Sequence, residues 1–257
     1  MNNPEMNNPE LTGELDTQFE DTEVIITLVD PEEKEYEIAD QENREKFLKR
    51  LEGMREDEVL MIEDAYDSGK EAHRPQRRDS GERYFEHVRS VAIILMDEAG
   101  VRDPDLIISA LLHDSVEDSA LFANRTKAHS DWVKTASYRL SKKFNPRVAK
   151  MVITLTKPSV DGVELKTKEE AHHFYIDNLS EADPETIMVK MGDRLHNLRS
   201  LTNNTKEKQL KTIKETREVY WPIFKKVLEK YPEAGQHLLG EMEKQMAELE
   251  ENMEKAE

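Results

Sequence analysis

A chain of 257 residues is long enough to bury a full core in one large domain or two small ones. With 37% hydrophobic and 36% charged residues and a formal charge of −18, it reads as soluble and acidic, which argues against duplex nucleic acid as a partner. The absence of cysteine removes disulfides, thiolate metal sites and cysteine nucleophiles together, and the lack of an apolar span or a basic-then-apolar leader points to a cytoplasmic protein without membrane contact. The charge is uneven: residues 1–23 hold seven acids and no Lys or Arg, and residues 241–257 hold seven acids against two Lys. The middle therefore carries only −6, and a polyanion site there is compatible with the overall acidity.

In chain order, residues 1–23 repeat Met-Asn-Asn-Pro-Glu and stay polar, the composition of a disordered acidic tail. Val24–Val29 and Tyr36–Ile38 flank a turn and suggest a short β-hairpin within residues 24–40. From about Gln41 the apolar spacing becomes helical, with Phe47, Leu48 and Leu51 in one stripe and Val59, Ile62 and Tyr66 in another. A polar, basic loop over His73–Arg83 precedes a helix carrying His87, Val91 and Leu95 on one side.

The stretch Leu106–Asp118 predicts a core helix whose last turns carry His113, Asp114, Glu117 and Asp118. On one continuous helix His113 lies a turn below Glu117, and Asp114 a turn below Asp118. Two readings of this cluster are open. The helix has reached the surface and His113 is a satisfied core histidine, or a bound cation replaces the hydration that buried carboxylates lose.

Ser119–Asp131 reads as a polar loop, and helices are expected over Trp132–Phe144, Pro146–Leu155, Ala171–Leu179 and Pro184–Leu201. The vicinal His172 and His173 are assigned to the surface. Helical spacing continues from Leu210 to Tyr231, and a final stripe of Leu238, Met242, Met246, Leu249 and Met253 marks an acidic C-terminal helix within residues 236–257. That stripe packs either on this domain, which is drawn over residues 41–235, or on another subunit, so a homo-oligomer is left open. The fold class is all-α apart from the hairpin.

Three stretches then carry a resemblance. His73-x-x-Gln76-x-Arg78-x-Ser80-Gly81-Glu82-x-Tyr84-x-x-His87, His113-Asp114-x-x-Glu117-Asp118 and Asp193-Arg194-Leu195-His196-Asn197-Leu198-Arg199 resemble, in order and spacing, the hydrolase domain of the RelA/SpoT alarmone enzymes. Thr156-Lys157 and Glu215-Thr216…Tyr220-x-Pro222 look like weaker signatures of that domain, and the match runs from about Ala65 to Ile223. The resemblance implies the all-helical HD fold and, by chain length, a stand-alone small alarmone hydrolase. It also implies the substrate, guanosine tetra- or pentaphosphate cleaved at the 3′-pyrophosphate, and a manganese ion, although other divalent metals suit the same donor types.

On that resemblance His87, His113, Asp114 and Asp193 are expected as metal ligands, with Glu117 and Asp118 orienting the attacking water and moving protons. Arg78 is expected to stack on guanine, Ser80 to belong to the nucleotide loop, and Arg194 and Asn197 to line the ribose and phosphate side. His196 has a weaker claim to the site, and capping or buttressing the core is an equal reading of it.

Some positions depart from the pattern. Asp79 stands where a basic residue is common, Ser119–Phe144 is longer than the equivalent connection, Gly192 replaces alanine and Ser200 replaces threonine. Asp79 keeps open a second reading, hydrolysis of another nucleotide or counteraction of a toxic alarmone synthetase. A third reading is a catalytically silent nucleotide- or partner-binding module.

Overall fold

The computed structural model describes residues 42–78, 80–123, 129–158 and 167–255. The acidic tail, the hairpin expected over 24–40, and Asp79 lie outside the described residues. A helix over residues 42–49 (α1) is followed by α2 (Glu56–Ala72), α3 (Tyr84–Asp97), α4 (Pro104–Leu112), α5 (Ser115–Asp118), α6 (His129–Lys143), α7 (Pro146–Leu155), α8 (Lys168–Ser180), α9 (Pro184–Arg199) and α10 (Lys206–Glu215). After these come a π-helical turn (Thr216–Tyr220), α11 (Trp221–Phe224), a 3₁₀ turn (Lys225–Glu229) and α12 (Pro232–Lys255). Among the described residues there is no strand, only a single antiparallel bridge between Arg77 and Arg83.

Helix starts follow from local chemistry. Asp103, Asn145, Thr167 and Thr205 each turn a side-chain oxygen onto a backbone N–H of the helix they open, and Pro104, Pro146 and Pro184 occupy first positions, where no N–H is needed. The spacing expected from Leu210 to Tyr231 is realised in four pieces rather than one helix. Pro222 has no N–H to meet the Glu218 carbonyl, and the chain passes through a wider turn, with Trp221 N–H donating to the Thr216 carbonyl instead.

Residues from Arg44 onward form one unit built around α4. Leu106 through Leu112 are all buried, because α4 packs against α2, α3, α7 and α9 at once. Gly69 of α2 permits a close approach to α4: a Cβ there would stand 2.7 Å from the Leu111 carbonyl oxygen. The predicted continuous helix Leu106–Asp118 is interrupted. The hydrogen-bond ladder is interrupted at His113-Asp114, which keep right-handed helical dihedrals (φ −56°, ψ −33° and φ −99°, ψ −6°), and it resumes as α5, opened by the Asp118 N–H to Asp114 carbonyl bond (2.9 Å). α6 packs on α7, and Phe122, Ala123, Trp132, Ala136 and Leu140 of the long Ser119–Phe144 connection are buried in the core.

The methionine stripe also enters the core. Leu238, Met242, Met246 and Leu249 are buried as α12 packs along α9, and the helix expected over 236–257 begins at Pro232. Arg199 on Glu98 and Glu241, and Arg217 on Glu243 and Glu250, fasten its polar edge.

Candidate functional site

Three helices converge on one buried cluster: α3 delivers His87, the α4–α5 break delivers His113 and Asp114, and α9 delivers Asp193. His87 Nε2 lies 3.2 Å from Asp193 Oδ1 and 3.7 Å from Asp114 Oδ2, and His113 Nε2 lies 3.1 Å from Asp114 Oδ2 and 3.8 Å from Asp193 Oδ1. His113 and Asp114 keep near-helical dihedrals, and as neighbours in the chain they still bring their functional atoms together, His113 Nε2 lying 3.1 Å from Asp114 Oδ2.

The donors fit a divalent cation. His113 Nδ1–H donates to the Ala110 carbonyl (2.8 Å), which leaves Nε2 buried, without a hydrogen-bond partner and turned toward the carboxylates. Ligand atoms of His87, His113 and Asp114 all lie within 4.8 Å of one another. In the metal-free chain, burial works against an imidazolium at His113, but Asp114 and Asp193 outweigh it and raise the group to about 9. Burial works against ionised Asp114 and Asp193 as well, yet His113 beside the first and Lys190 beside the second hold both well below the usual carboxylate range. Two imidazoles and two ionised carboxylates are a donor set suited to a borderline or hard divalent ion.

Around this cluster lies a ring of hydrogen bonds. The Tyr84 hydroxyl donates to Asp114 Oδ2 (2.7 Å), Lys190 Nζ to Asp193 Oδ2 (2.8 Å) and Asn197 Nδ2 to Asp193 Oδ1 (2.6 Å). Lys190 is buried between the rings of Tyr175 and Tyr220, so its charge is aimed rather than solvated. Glu117 and Asp118, on α5, are gripped from opposite sides. Lys157, just beyond α7, presents its backbone N–H (3.1 Å) and Nζ (3.3 Å) to the two Glu117 oxygens. Gln76 donates to the Asp118 carbonyl (2.8 Å) and is itself engaged at Oε1 by His73 Nδ1 (2.6 Å). Burial, together with the charges of Asp114 and Glu117, lifts the Asp118 carboxyl to about 6.

The four expected nucleotide-side residues come together as well. Arg78, Ser80, Arg194 and Asn197 line one cleft of about 230 Å³, with Ser200, Leu201, Asn204, Lys208 and Thr212 completing it. The loop bearing Arg78 and Ser80 is a tight turn: Arg78 N–H donates to the Glu82 carbonyl and Gly81 N–H to the Arg78 carbonyl, with Gly81 at φ +86°, a conformation that favours glycine. Arg78 reaches α9, donating to Asn197 Oδ1 (2.8 Å) and Ser200 Oγ (3.2 Å). Arg194 lies over the Tyr220 ring at 4.0 Å and pairs with Glu215 (2.9 Å). Asn197 touches both the cleft and Asp193, which makes cleft and cluster one continuous site.

Lys190, Tyr84, Gln76, His73 and Lys157 have no assigned role in the sequence reading. Lys190 had a legible signal, standing three residues before Asp193 on the same helix. Gln76 and Lys157 act across about 40 residues of chain, where spacing carries no information.

Residues 65–227 match the family model described as HD domain. Over 187 residues the chain is 33% identical to guanosine-3′,5′-bis(diphosphate) 3′-pyrophosphohydrolase of Aquifex aeolicus, covering 73% of this chain and 24% of that one. Over 172 residues it is 30% identical to the bifunctional (p)ppGpp synthase/hydrolase SpoT of Escherichia coli, covering 65% and 22%. The chain thus spans about a quarter of the length of these curated relatives. A solved structure, described as a metazoan ortholog of SpoT that hydrolyzes ppGpp and plays a role in starvation responses, superposes with a TM-score of 0.51 at 25% identity, over 73% of this chain and 94% of that one.

Proposed function

The chain belongs to the HD-domain family, and from that premise we propose that it is a metal-dependent hydrolase that removes the 3′-pyrophosphate of guanosine tetra- or pentaphosphate, giving GDP or GTP and pyrophosphate. The observation that carries this reading is His113 Nε2, buried without a hydrogen-bond partner and facing Asp114, Asp193 and His87 beside the cleft. The relatives named for hydrolysis of this nucleotide support the substrate.

His87, His113, Asp114 and Asp193 would hold the cation, taken here as Mn²⁺, which when bound neutralises phosphoryl oxygens and acidifies a water. Asp118, with a carboxyl near 6, is ionised at neutral pH and takes the proton of the attacking water. Glu117, kept in place by Lys157, orients that water. Cleavage of the ester at the 3′ oxygen returns a proton to that oxygen as pyrophosphate leaves. Arg78 stacks on the guanine, Ser80 bonds to the nucleotide from its loop, and Arg194 and Asn197 meet ribose and phosphate from α9.

The test is ion-exchange analysis of products after incubating metal-stripped protein with and without Mn²⁺ and ppGpp, beside pppGpp, NADPH and GTP. GDP and pyrophosphate should form only with Mn²⁺, and His113→Ala or Asp193→Ala should lose turnover by at least about 100-fold, since even outer partners of a metal site are worth 10–100-fold. Intact ppGpp alongside cleavage of another nucleotide would move the substrate and leave the chemistry standing.

A further inference from the structure

His196 sits on α9 between the metal cluster and the nucleotide cleft, and its Nδ1 atom faces two groups at once. Arg78 Nη1 lies 3.2 Å away and His87 Nδ1 lies 2.9 Å away. A guanidinium has only donors, so the atom it approaches must be an acceptor. His196 Nδ1 is therefore unprotonated and its proton is on Nε2. Two unprotonated nitrogens do not attract at 2.9 Å, so His87 Nδ1 must carry a proton and donate it to the same atom. That leaves Nε2, which faces Asp193 (3.2 Å) and Asp114 (3.7 Å), as the one His87 nitrogen able to offer a lone pair to a cation.

From this geometry we infer that His196 is a positioning residue: it fixes the tautomer and ring orientation of the metal ligand His87, and through the same nitrogen it ties Arg78, on the nucleotide side, to the metal cluster. The corresponding part for His113 is the Ala110 carbonyl, which accepts from Nδ1 (2.8 Å). The two imidazoles are thus oriented by different means, one by backbone and one by a side chain that also contacts Arg78 of the cleft. Orienting partners of this kind are worth about 10–100-fold in metal affinity. The inference rests on the metal-site reading above.

The measurement is Mn²⁺ affinity by calorimetry on the full chain for wild type, His196→Leu and His196→Asn, with thermal melts to confirm folding. His196→Leu removes the acceptor, and its Mn²⁺ dissociation constant should rise about 10–100-fold. His196→Asn sets an amide oxygen near the place of Nδ1 and should recover most of that loss. Wild-type Mn²⁺ affinity in folded His196→Leu, or no recovery in His196→Asn, overturns the role of His196 and leaves the metal site standing. A wild-type chain that binds no Mn²⁺ overturns the metal site itself. Should His196→Leu fail to fold, ¹⁵N shifts of the wild-type imidazoles decide: a bare Nδ1 on His196 with a protonated Nδ1 on His87 is expected, and a proton on His196 Nδ1 overturns the assignment.

Discussion

Asp118 is the residue whose surroundings differ most from its appearance in the sequence. Beside Glu117 at the end of an apolar run it reads as a solvated helix end. In the fold its backbone is held by Gln76, while burial, Asp114 and Glu117 push its carboxyl up to about 6. Asp118→Asn keeps the size and the backbone bond but removes the proposed proton acceptor, so kcat should fall about 10²–10⁴-fold while Mn²⁺ affinity stays near wild type. An Asp118→Asn enzyme with normal kcat would assign the base to Glu117. The pattern His113-Asp114-x-x-Glu117-Asp118 was legible because acids and histidine on an apolar run need an explanation. Asp193 was legible only through the resemblance, since one Asp on a helix says nothing by itself. His73, Gln76 and Lys157 stood in the motifs that carry the resemblance, but the bonds of Gln76 to Asp118 and of Lys157 to Glu117 were not legible, because hydrogen bonds between distant segments leave no periodic trace.

At the scale of elements, periodicity and punctuation located the helices well. The expected Pro146–Leu155 helix coincides with α7, and α9 ends two residues before the expected limit. What periodicity missed was the break at His113-Asp114, because both halves keep apolar residues facing the same core. The aim of that break depends on how α4 is seated. Asp103 caps α4, accepting from Asp105 N–H (3.0 Å), and pairs with Arg147 at 2.7 Å. Burial disfavours its charge, but the Arg147 bonds prevail and hold the carboxyl below its ordinary value. A depressed carboxyl contributes stability that is full above about pH 4 and is lost as pH falls through the folded-state value. Asp103→Ala should therefore cost about 1 kcal/mol at pH 7 and show a flatter fall of Tm below about pH 4 than wild type. At the other side of α4, Gly69→Ala drives a Cβ against the Leu111 carbonyl, a backbone atom that cannot swing aside. It should destabilise by about 1–3 kcal/mol, read by urea titration, and lower activity by shifting His113 and Asp114.

For the molecule as a whole, charge is the unexplained property: a protein of formal charge −18 is proposed to take a polyanionic nucleotide. Locally the conflict is eased, because Arg78 and Lys208 line the cleft beside Arg194, which is paired with Glu215. At the C-terminal end, Glu241, Glu243 and Glu250 are paired with Arg199 and Arg217, so part of that acidity is offset by neighbouring bases. Residues 1–23 are different, with seven acids and no base among them. Net charge of this sign acts on an incoming anion through the encounter rate and is screened over about 10 Å at 0.1 M salt. Removing residues 1–23 should therefore raise kcat/KM by a few-fold near 10 mM ionic strength, leave kcat unchanged, and lose its advantage by about 0.5 M, where the Debye length is down to a few ångströms. Replacing the seven acids with Asn and Gln in the full-length chain should do the same, because charge rather than bulk is responsible. An effect that persists at high salt, or that follows truncation but not neutralisation, would assign the segment a steric role and leave the acidity to solubility alone.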